Sequence, residues 1–283
     1  MTVSAFTPGS TIGVFDSGVG GMSILRHIHA LLPQQDLLYF ADSGFAPYGE
    51  KPEAEIVARA LHIAQYLLGQ GAQALVVACN TATVAAIRLL RQHYPDLPLV
   101  GVEPGLKPAA AVSRSRIVGV LATAYTLRGE KFIQLQQQIS AQSRVQFLLQ
   151  PCTGLVDLIE LGQIDSSDTL ALLQRYIPPL LDQGADTLVL GCTHYPFVQV
   201  QIERVIAQHQ ASQLADAPAI TLIDTGEAVA RQLQRLLGAH QIPPNPHPTQ
   251  LKGFTSGSAS ALQQAFWHLL ELQPPVEAVE QEF

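Results

Sequence analysis

Short apolar runs alternate along the chain with longer segments in which apolar residues recur every three or four positions. The runs predict buried strands, because four to eight consecutive apolar residues suit a strand covered on both faces. The longer segments predict helices with one apolar face, as at Met22, Leu25 and Ile28. Strands that alternate with helices in this way indicate an α/β fold with doubly wound parallel sheets.

The predicted strands end where glycine, proline or polar residues interrupt the apolar runs. They cover residues 12–15, 37–41, 98–102, 117–121, 145–149, 220–224 and 251–255, together with the two runs that end at Cys79 and Cys192. The predicted helices cover 53–70, 84–94, 155–161, 167–183, 197–208 and 259–270, with another beginning at 22. The tail from 273 onward is acidic and is expected to be poorly ordered.

One unit of helix, turn and strand occurs twice. Residues 67–79 read LLGQGAQALVVAC and residues 180–192 read LLDQGADTLVLGC, so each copy ends on a cysteine. Two copies predict two similar lobes rather than a solenoid. The predicted first lobe comprises residues 1–103 and 216–283, and the second comprises 104–215. Facing lobes would bring Cys79 and Cys192 to one cleft.

Composition narrows the possible partners. The net charge is −7 and Lys/Arg runs are absent, which argues against nucleic acid or an anionic membrane and favours a small polar substrate. The sequence has no signal-peptide pattern and no apolar run near the ~18 residues of a membrane helix, so a cytoplasmic protein is expected. Its three cysteines form neither a disulfide framework nor a zinc pattern.

The candidate chemistry lies where strands end. Cys79 follows a predicted strand and precedes a helix, a position that favours a thiolate, although free cysteines are often only small buried hydrophobes. The turn DSGVGG at 16–21 lacks the spacing of a dinucleotide loop, so its glycines are expected to let the backbone approach a small ligand beside Asp16 and Ser17. Asp16 could also cap the following helix. Cys152, outside the repeat, is expected to be structural or peripheral.

Two thiols at one cleft are compatible with several reactions. A cysteine hydrolase needs one thiol with a dedicated histidine, and His194 near Cys192 in sequence does not prove such a pair. A zinc site needs about four ligands, and Cys192 with His194 supplies two. A redox pair is possible, but reactive dithiols usually have C-x-x-C spacing. The fourth possibility is acid and base catalysis on opposite faces of one carbon.

Five blocks in order carry a family resemblance. The blocks DSGVGG (16–21), PYG (47–49), ACNTAT (78–83), GVEPG (101–105) and GCTHYP (191–196) resemble the glutamate racemases of the cofactor-independent amino-acid racemase superfamily. Aspartate racemases of that superfamily also pair two cysteines, but the first and last blocks resemble the glutamate branch more closely. A two-lobed binding protein or a cysteine hydrolase is the competing class.

The resemblance implies two pseudosymmetric flavodoxin-like lobes with glutamate bound between them. It implies no pyridoxal phosphate, metal or nucleotide. It implies that Cys79 acts on D-glutamate and Cys192 on L-glutamate. By position, Asp16 could orient the substrate ammonium or assist Cys79, and His194 could assist Cys192. It also implies D-glutamate supply for peptidoglycan in a bacterial cytosol, and a homodimer is possible. The implied substrate-binding residues are Asp16, Ser17, Pro47, Tyr48, Gly49, Asn80, Thr81, Thr126, Thr193 and His194, although Thr126 lies in a loop where the family often has serine.

Overall fold

The computed structural model describes residues 11–211, 219–244 and 249–279. Its strands are β1 Thr11–Asp16, β2 Asp36–Ala41, β3 Ala74–Val77, β4 Leu99–Gly101, β5 Ile117–Ala122, β6 Gln146–Pro151, β7 Thr187–Leu190, β8 Thr221–Ile223, β9 Leu251–Thr255 and β10 Val276–Ala278. Its helices are α1 Met22–Leu31, α2 Glu53–Gly69, α3 Asn80–His93, α4 Leu106–Val112, α5 Ala124–Arg128, α6 Glu130–Ser143, α7 Leu155–Glu160, α8 Ser167–Tyr176, α9 Pro178–Asp182, α10 Gln199–Ala211, α11 Gly226–Ala239 and α12 Ala259–Leu270.

The chain divides into two compact units. The first unit comprises the chain up to Val102 and the chain from Gly226 onward. The second unit comprises Glu103–Thr225. Every strand pairing in both units is parallel, as the alternation of strands and helices predicts. The α/β fold class with two doubly wound sheets is therefore confirmed. None of the helices in the described ranges is long and apolar enough to cross a membrane.

The first unit has a six-stranded sheet in the order β10-β9-β2-β1-β3-β4. Strands β1 and β3 are buried along their whole length, because helices cover both faces of the sheet centre. In the register of β1 with β2, Asp16 lies beside Ala41. The carboxyl ends of β1, β2 and β3 therefore bring the residues that follow them to one sheet edge, where open α/β sheets bind ligands.

The second unit has a four-stranded sheet in the order β6-β5-β7-β8. Two apolar clusters cover it. One includes Leu173, Tyr195 and Ile202, and the other includes Leu106 and Phe132. The order β6-β5-β7-β8 repeats the order β2-β1-β3-β4 of the first unit, so β7 takes the place of β3. The sequence repeat is thus also a repeat of strand topology.

Several predictions differ from the structure, among them the helix predicted over 84–94, which begins at Asn80. The predicted first lobe includes residues 220–224, but β8 pairs with β7 and belongs to the second unit. The predicted helix over 167–183 is broken into α8 and α9 at Pro178, which has no N–H to continue the helical hydrogen bonds. The tail was expected to be poorly ordered, but β10 adds a parallel edge strand beside β9. Residues 280–283 lie outside the described residues.

Candidate active site

Cys79 stands at the start of helix α3, two residues after β3 ends. Its side chain is 5% exposed, and its Sγ accepts a hydrogen bond from the N–H of Ala82 at 3.4 Å. The Sγ also lies 3.7 Å from Ser17 Oγ, within the range for a sulfur hydrogen bond. Backbone N–H groups at a helix start stabilise negative charge on sulfur. This position therefore favours the thiolate, which is the form that can accept a proton.

Asp16 ends β1 and closes the glycine turn that follows. Its Oδ2 accepts a hydrogen bond of 2.7 Å from the N–H of Gly21, the residue that precedes α1. The N-cap residue of α1 is Gly21 and it has no side-chain cap, so Asp16 holds the turn before the helix and does not cap the helix itself. A side chain at Gly21 would place its Cβ 2.7 Å from the Asp16 Cβ, so glycine is required there by close packing. Asp16 and Ser17 are both buried at the edge where Cys79 lies.

Asn80 and Thr81 form the first turn of α3 and are buried. Among the described residues, the Asn80 Nδ2 has no hydrogen-bond partner. A buried amide without a partner costs about 1–3 kcal/mol, so such groups usually bind a ligand or ordered water. Asn80 is therefore a good candidate donor to a bound anion.

The loop after β2 carries the predicted residues Pro47, Tyr48 and Gly49. The Ala46–Pro47 peptide bond is cis, and a single 3-10 turn follows over Tyr48–Glu50. That turn contacts α3. The Tyr48 hydroxyl points into the unit, where it donates a hydrogen bond to Asp42. We call Asp16, Ser17, Cys79, Asn80, Thr81 and Tyr48 the Cys79 cluster.

Cys192 lies two residues after β7 ends, the same offset as Cys79 from β3. Its Sγ is 3.6 Å from Nδ1 of His194, and the Nε2 of His194 is 2.5 Å from Glu160 Oε1. Cys192 and His194 are 6% and 2% exposed. A thiol, an imidazole and a carboxylate therefore form one chain of hydrogen bonds. We call Glu160, Cys192, Thr193 and His194 the Cys192 cluster.

The electrostatics of this chain favour a protonated imidazole. Burial lowers the pKa of His194, but the hydrogen bonds to Cys192 and Glu160 and the charges of these groups outweigh burial and raise it well above 6.5. Glu160 also fixes the ring orientation by binding the nitrogen that faces away from the thiol. A protonated His194 beside Cys192 would stabilise its thiolate.

Sequence reasoning did not assign a role to Glu160. It ends helix α7, whereas His194 follows β7, and no local motif joins the two stretches. The contact depends on how α7 packs against the turn that begins at Tyr195. Only the assembled fold of the second unit reveals this partner.

Threonines line the neighbouring strand end in the second unit. Thr123 caps α5 by accepting a hydrogen bond from the N–H of Thr126 at 3.2 Å, and its hydroxyl donates to Thr126 Oγ1 at 3.0 Å. Thr126 is buried, as is Thr193 beside Cys192. Because β5 pairs with β7, these hydroxyls and the Cys192 thiol lie at the same sheet edge.

Cys152 lies in the apolar interior of the second unit. Burial raises the pKa of its thiol far above the ordinary value, so the sulfur stays protonated. Its Sγ lies 3.5 Å from the carbonyl oxygen of Gln150. These contacts agree with the structural role expected for Cys152.

Comparison with known proteins identifies the family of this chain. The model of the Asp/Glu/hydantoin racemase family matches residues 12–233. The chain belongs to the Asp/Glu/hydantoin racemase family. The predicted resemblance is confirmed, and this family member is an isomerase. A glutamate racemase of Cupriavidus pinatubonensis is 50% identical over 269 residues, which cover 95% of this chain and 94% of that protein.

Solved structures give the same result. Glutamate racemase isoform RacE1 from Bacillus anthracis has a TM-score of 0.83 at 27% identity and covers 97% of this chain and 98% of its own. The Escherichia coli glutamate racemase, in complex with L-glutamate and the activator UDP-MurNAc-Ala, has a TM-score of 0.81 at 32% identity. That alignment covers 96% of this chain and 98% of the E. coli chain.

Proposed function

We propose that this racemase interconverts L- and D-glutamate, with Cys79 and Cys192 as the two groups that carry protons. The observation that supports this most strongly is the matched position of the two thiols. Each is buried two residues beyond an equivalent parallel strand, and each has its own polar support. The substrate is inferred from relatives named as glutamate racemases and from the E. coli enzyme with L-glutamate.

The reaction moves one proton off the α-carbon and another onto its opposite face. From L-glutamate, the Cys192 thiolate takes the α-proton while the Cys79 thiol gives its proton to the other face. The product is D-glutamate, with Cys192 as a thiol and Cys79 as a thiolate. The reverse reaction exchanges the two roles. Atoms and charge balance without an oxidant or a carrier group.

The difficulty is the weak acidity of an α-proton beside a carboxylate, compared with a thiol of pKa about 8.5. Fixed donors and exclusion of water must stabilise the carbanion-like transition state. The buried amide of Asn80 and the hydroxyls of Ser17, Thr81, Thr126 and Thr193 are suitable donors for the substrate carboxylates.

The environments of the two thiols differ although their scaffolds match. Cys79 is supported by the N–H of Ala82 at a helix start and has Ser17 beside it. Cys192 instead has the His194–Glu160 pair. We propose that His194 stabilises the Cys192 thiolate, that Asp16 orients the substrate ammonium or assists Cys79, and that Pro47, Tyr48 and Gly49 border the bound substrate.

We further propose that the D-glutamate supplies peptidoglycan precursor synthesis in the cytoplasm, and that the reaction needs neither pyridoxal phosphate nor a metal. A homodimer remains a prediction. The test is the circular dichroism of L-glutamate incubated with purified, dialysed protein in the presence of a chelator and a carbonyl-trapping reagent. The signal is expected to decay to zero as the racemate forms. A signal that stays constant would contradict the assignment.

A further inference from the structure

A buried ion pair ties the loop after β2 to helix α2. Asp42 is the first residue beyond β2, and Arg59 lies in the second turn of α2. Both side chains are buried. The Arg59 Nε lies 2.8 Å from Asp42 Oδ2, and Nη2 donates to Oδ1, so the guanidinium binds both carboxylate oxygens. This two-point contact fixes the direction of the carboxylate as well as its position.

Two further side chains donate to the same carboxylate. The Tyr48 hydroxyl donates to Asp42 Oδ2, and Ser256 Oγ donates to Oδ1 at 2.6 Å. Ser256 Oγ in turn accepts a hydrogen bond from the N–H of Gly44 at 3.1 Å. Each carboxylate oxygen therefore has two donors, which is how a folded protein can hold a buried charge.

Arg59 also contacts the loop directly. Its Cζ lies 3.7 Å from the centroid of the Phe45 ring, and the Phe45 N–H donates to the Asp42 carbonyl oxygen at 2.9 Å. A guanidinium can stack on an aromatic ring while it binds a carboxylate, because it is planar. Arg59 thus supports the loop at Asp42, at Phe45 and, through Asp42, at Tyr48.

The supported loop borders the Cys79 cluster. The N–H of Asp42 donates to the carbonyl oxygen of Asp16 at 3.0 Å, and the Tyr48–Glu50 turn contacts α3, which starts directly after Cys79. Burial raises the pKa of Tyr48, and the charges of Asp42 and Cys79 raise it further. The Tyr48 hydroxyl therefore stays protonated and can act as a donor to Asp42 without taking part in proton transfer.

We propose that Arg59 is a positioning residue, which through Asp42 and Tyr48 holds the loop that borders Cys79 in the geometry required for racemisation. The catalytic part of this proposal rests on the function proposed above. The structural part, that Arg59 holds the loop against Cys79, does not depend on that function. Lysine would keep the positive charge but could neither bind both carboxylate oxygens nor stack as a plane on Phe45. Arg59→Lys therefore separates geometry from charge.

The experiment compares wild type, Arg59→Lys, Tyr48→Phe and the double variant, with Arg231→Lys as the matched control. Arg231 also pairs with a carboxylate, that of Glu227, but on the exposed surface of α11 in the same unit. Two quantities are measured: kcat and KM for L-glutamate, and the alkylation rates of Cys79 and Cys192 by iodoacetamide without substrate. Peptide mass spectrometry reads the two cysteines separately.

We expect Arg59→Lys and Tyr48→Phe each to lower kcat/KM about tenfold, since small displacements at a reacting centre are costly. Cys79 should be alkylated at least about threefold faster, because its bordering loop opens locally, while the rate at Cys192 stays unchanged. The double variant should lose less than the product of the two single losses, because both changes act on one network. Arg231→Lys should match wild type.

Two outcomes would overturn the inference. One is a folded Arg59→Lys variant whose kcat/KM and Cys79 alkylation rate both stay within about twofold of wild type. The other is equal acceleration of alkylation at Cys79 and Cys192, which would show general loosening of the chain. If wild type fails to racemise glutamate, the proposed function fails, and the alkylation rates still decide whether Arg59 holds the loop against Cys79.

Discussion

Glu160 and His194 form a shorter contact than Cys192 and His194, with 2.5 Å between Oε1 and Nε2 against 3.6 Å between Sγ and Nδ1. The carboxylate stabilises the protonated imidazole, and together with Cys192 it keeps the pKa of His194 well above 6.5 although burial acts in the opposite direction. The folded chain therefore holds this proton more tightly than the unfolded chain. Protein stability is thereby linked to pH through one side chain.

The first prediction concerns this linkage. The stabilising contribution of protonated His194 is complete below pH 6.5 and is lost as the pH rises through the elevated pKa. As the pH rises from 6.5, the Tm of wild type should fall relative to that of His194→Asn, and Glu160→Gln should make this fall smaller. Differential scanning fluorimetry at a series of pH values from 6.5 upward measures it. Parallel Tm curves for wild type and His194→Asn would contradict the linkage.

The second prediction concerns the three thiols. Cys79→Ala and Cys192→Ala should each abolish measurable racemisation, because each removes one of the two proposed proton carriers. Cys152→Ala should keep kcat/KM within about threefold of wild type, because Cys152 lies in the apolar interior with a protonated thiol. Polarimetry of the three variants on L-glutamate decides this. Loss of activity in Cys152→Ala with an unchanged Tm would contradict the structural role.

At the scale of the elements, Asp186 joins the amino-terminal end of β7 to the turn between α4 and β5. Its carboxylate accepts hydrogen bonds from Ser113 Oγ at 2.6 Å and from the N–H groups of Arg114 and Ser115 at 2.7 Å each. Burial raises the pKa of Asp186, but these hydrogen bonds and that from Thr187 outweigh it, so the pKa lies below 3.8. The contact lies at the sheet edge opposite Cys192.

The third prediction concerns the hydrogen bonds that the Asp186 carboxylate accepts. Asp186→Asn should lower the free energy of unfolding by roughly 1–3 kcal/mol near neutral pH, because an amide accepts these hydrogen bonds less well. Since the folded pKa is depressed, the wild-type advantage is present above pH 3.8 and is lost as the pH falls through the folded value. Urea unfolding at pH 7 and pH 3 measures both effects, and kcat should not change.

Asp182→Asn is the matched control, because Asp182 is an exposed aspartate of the same unit that pairs with His209. It should cost at most about 1 kcal/mol. Equal losses in the two variants would show that the hydrogen bonds of Asp186 have no special importance.

The elements also show where sequence patterns suffice. The β1, β2 and β9 strands and helix α12 were predicted within one residue, because their apolar runs or helical faces are strong and are bounded by polar or glycine residues. Helix α6 was missed, since its glutamine-rich sequence buries only Phe132 and Ile139 and gives a weak periodic signal. Strand β10 was missed because its stability comes from pairing with β9 rather than from its own composition.

The candidate site also contains residues that the sequence predicts and contacts that it does not predict. Cys79 and Cys192 could be predicted, because a local repeat places each directly after a buried strand. The contacts of Glu160 with His194 and of Arg59 with Asp42 could not, since each joins residues of different elements, 34 and 17 positions apart in the chain. Such partners depend on helix packing, which a single sequence does not encode as a motif.

At the scale of the whole molecule, the repeat of strand order gives two thiols on equivalent scaffolds with different supporting side chains. Within the described residues, the sheet of the second unit has four strands, whereas the sheet of the first unit also includes β9 and β10. Duplication of a scaffold followed by divergence of the residues after each strand would produce this arrangement. It suits a reaction that is symmetric at carbon but acts on a chiral substrate.

The fourth prediction concerns the substrate. Glutamate should be turned over at least about tenfold faster than aspartate, because fixed donors that fit the longer side chain remain partly unpaired with the shorter one. The measurement is kcat/KM for both amino acids under identical conditions. Equal values would move the assignment toward another activity of the same family.

The most direct test of the central claim is the fate of the α-proton when L-glutamate reacts in deuterated water. If Cys192 removes the proton and Cys79 delivers a solvent-exchanged one, early D-glutamate should carry deuterium at Cα while the remaining L-glutamate keeps hydrogen. Proton NMR of both enantiomers after separation, at less than about 10% conversion, reads this directly. Early D-glutamate that retains the original hydrogen, or deuterium that appears equally in both enantiomers, would contradict the assignment of one thiol to each face.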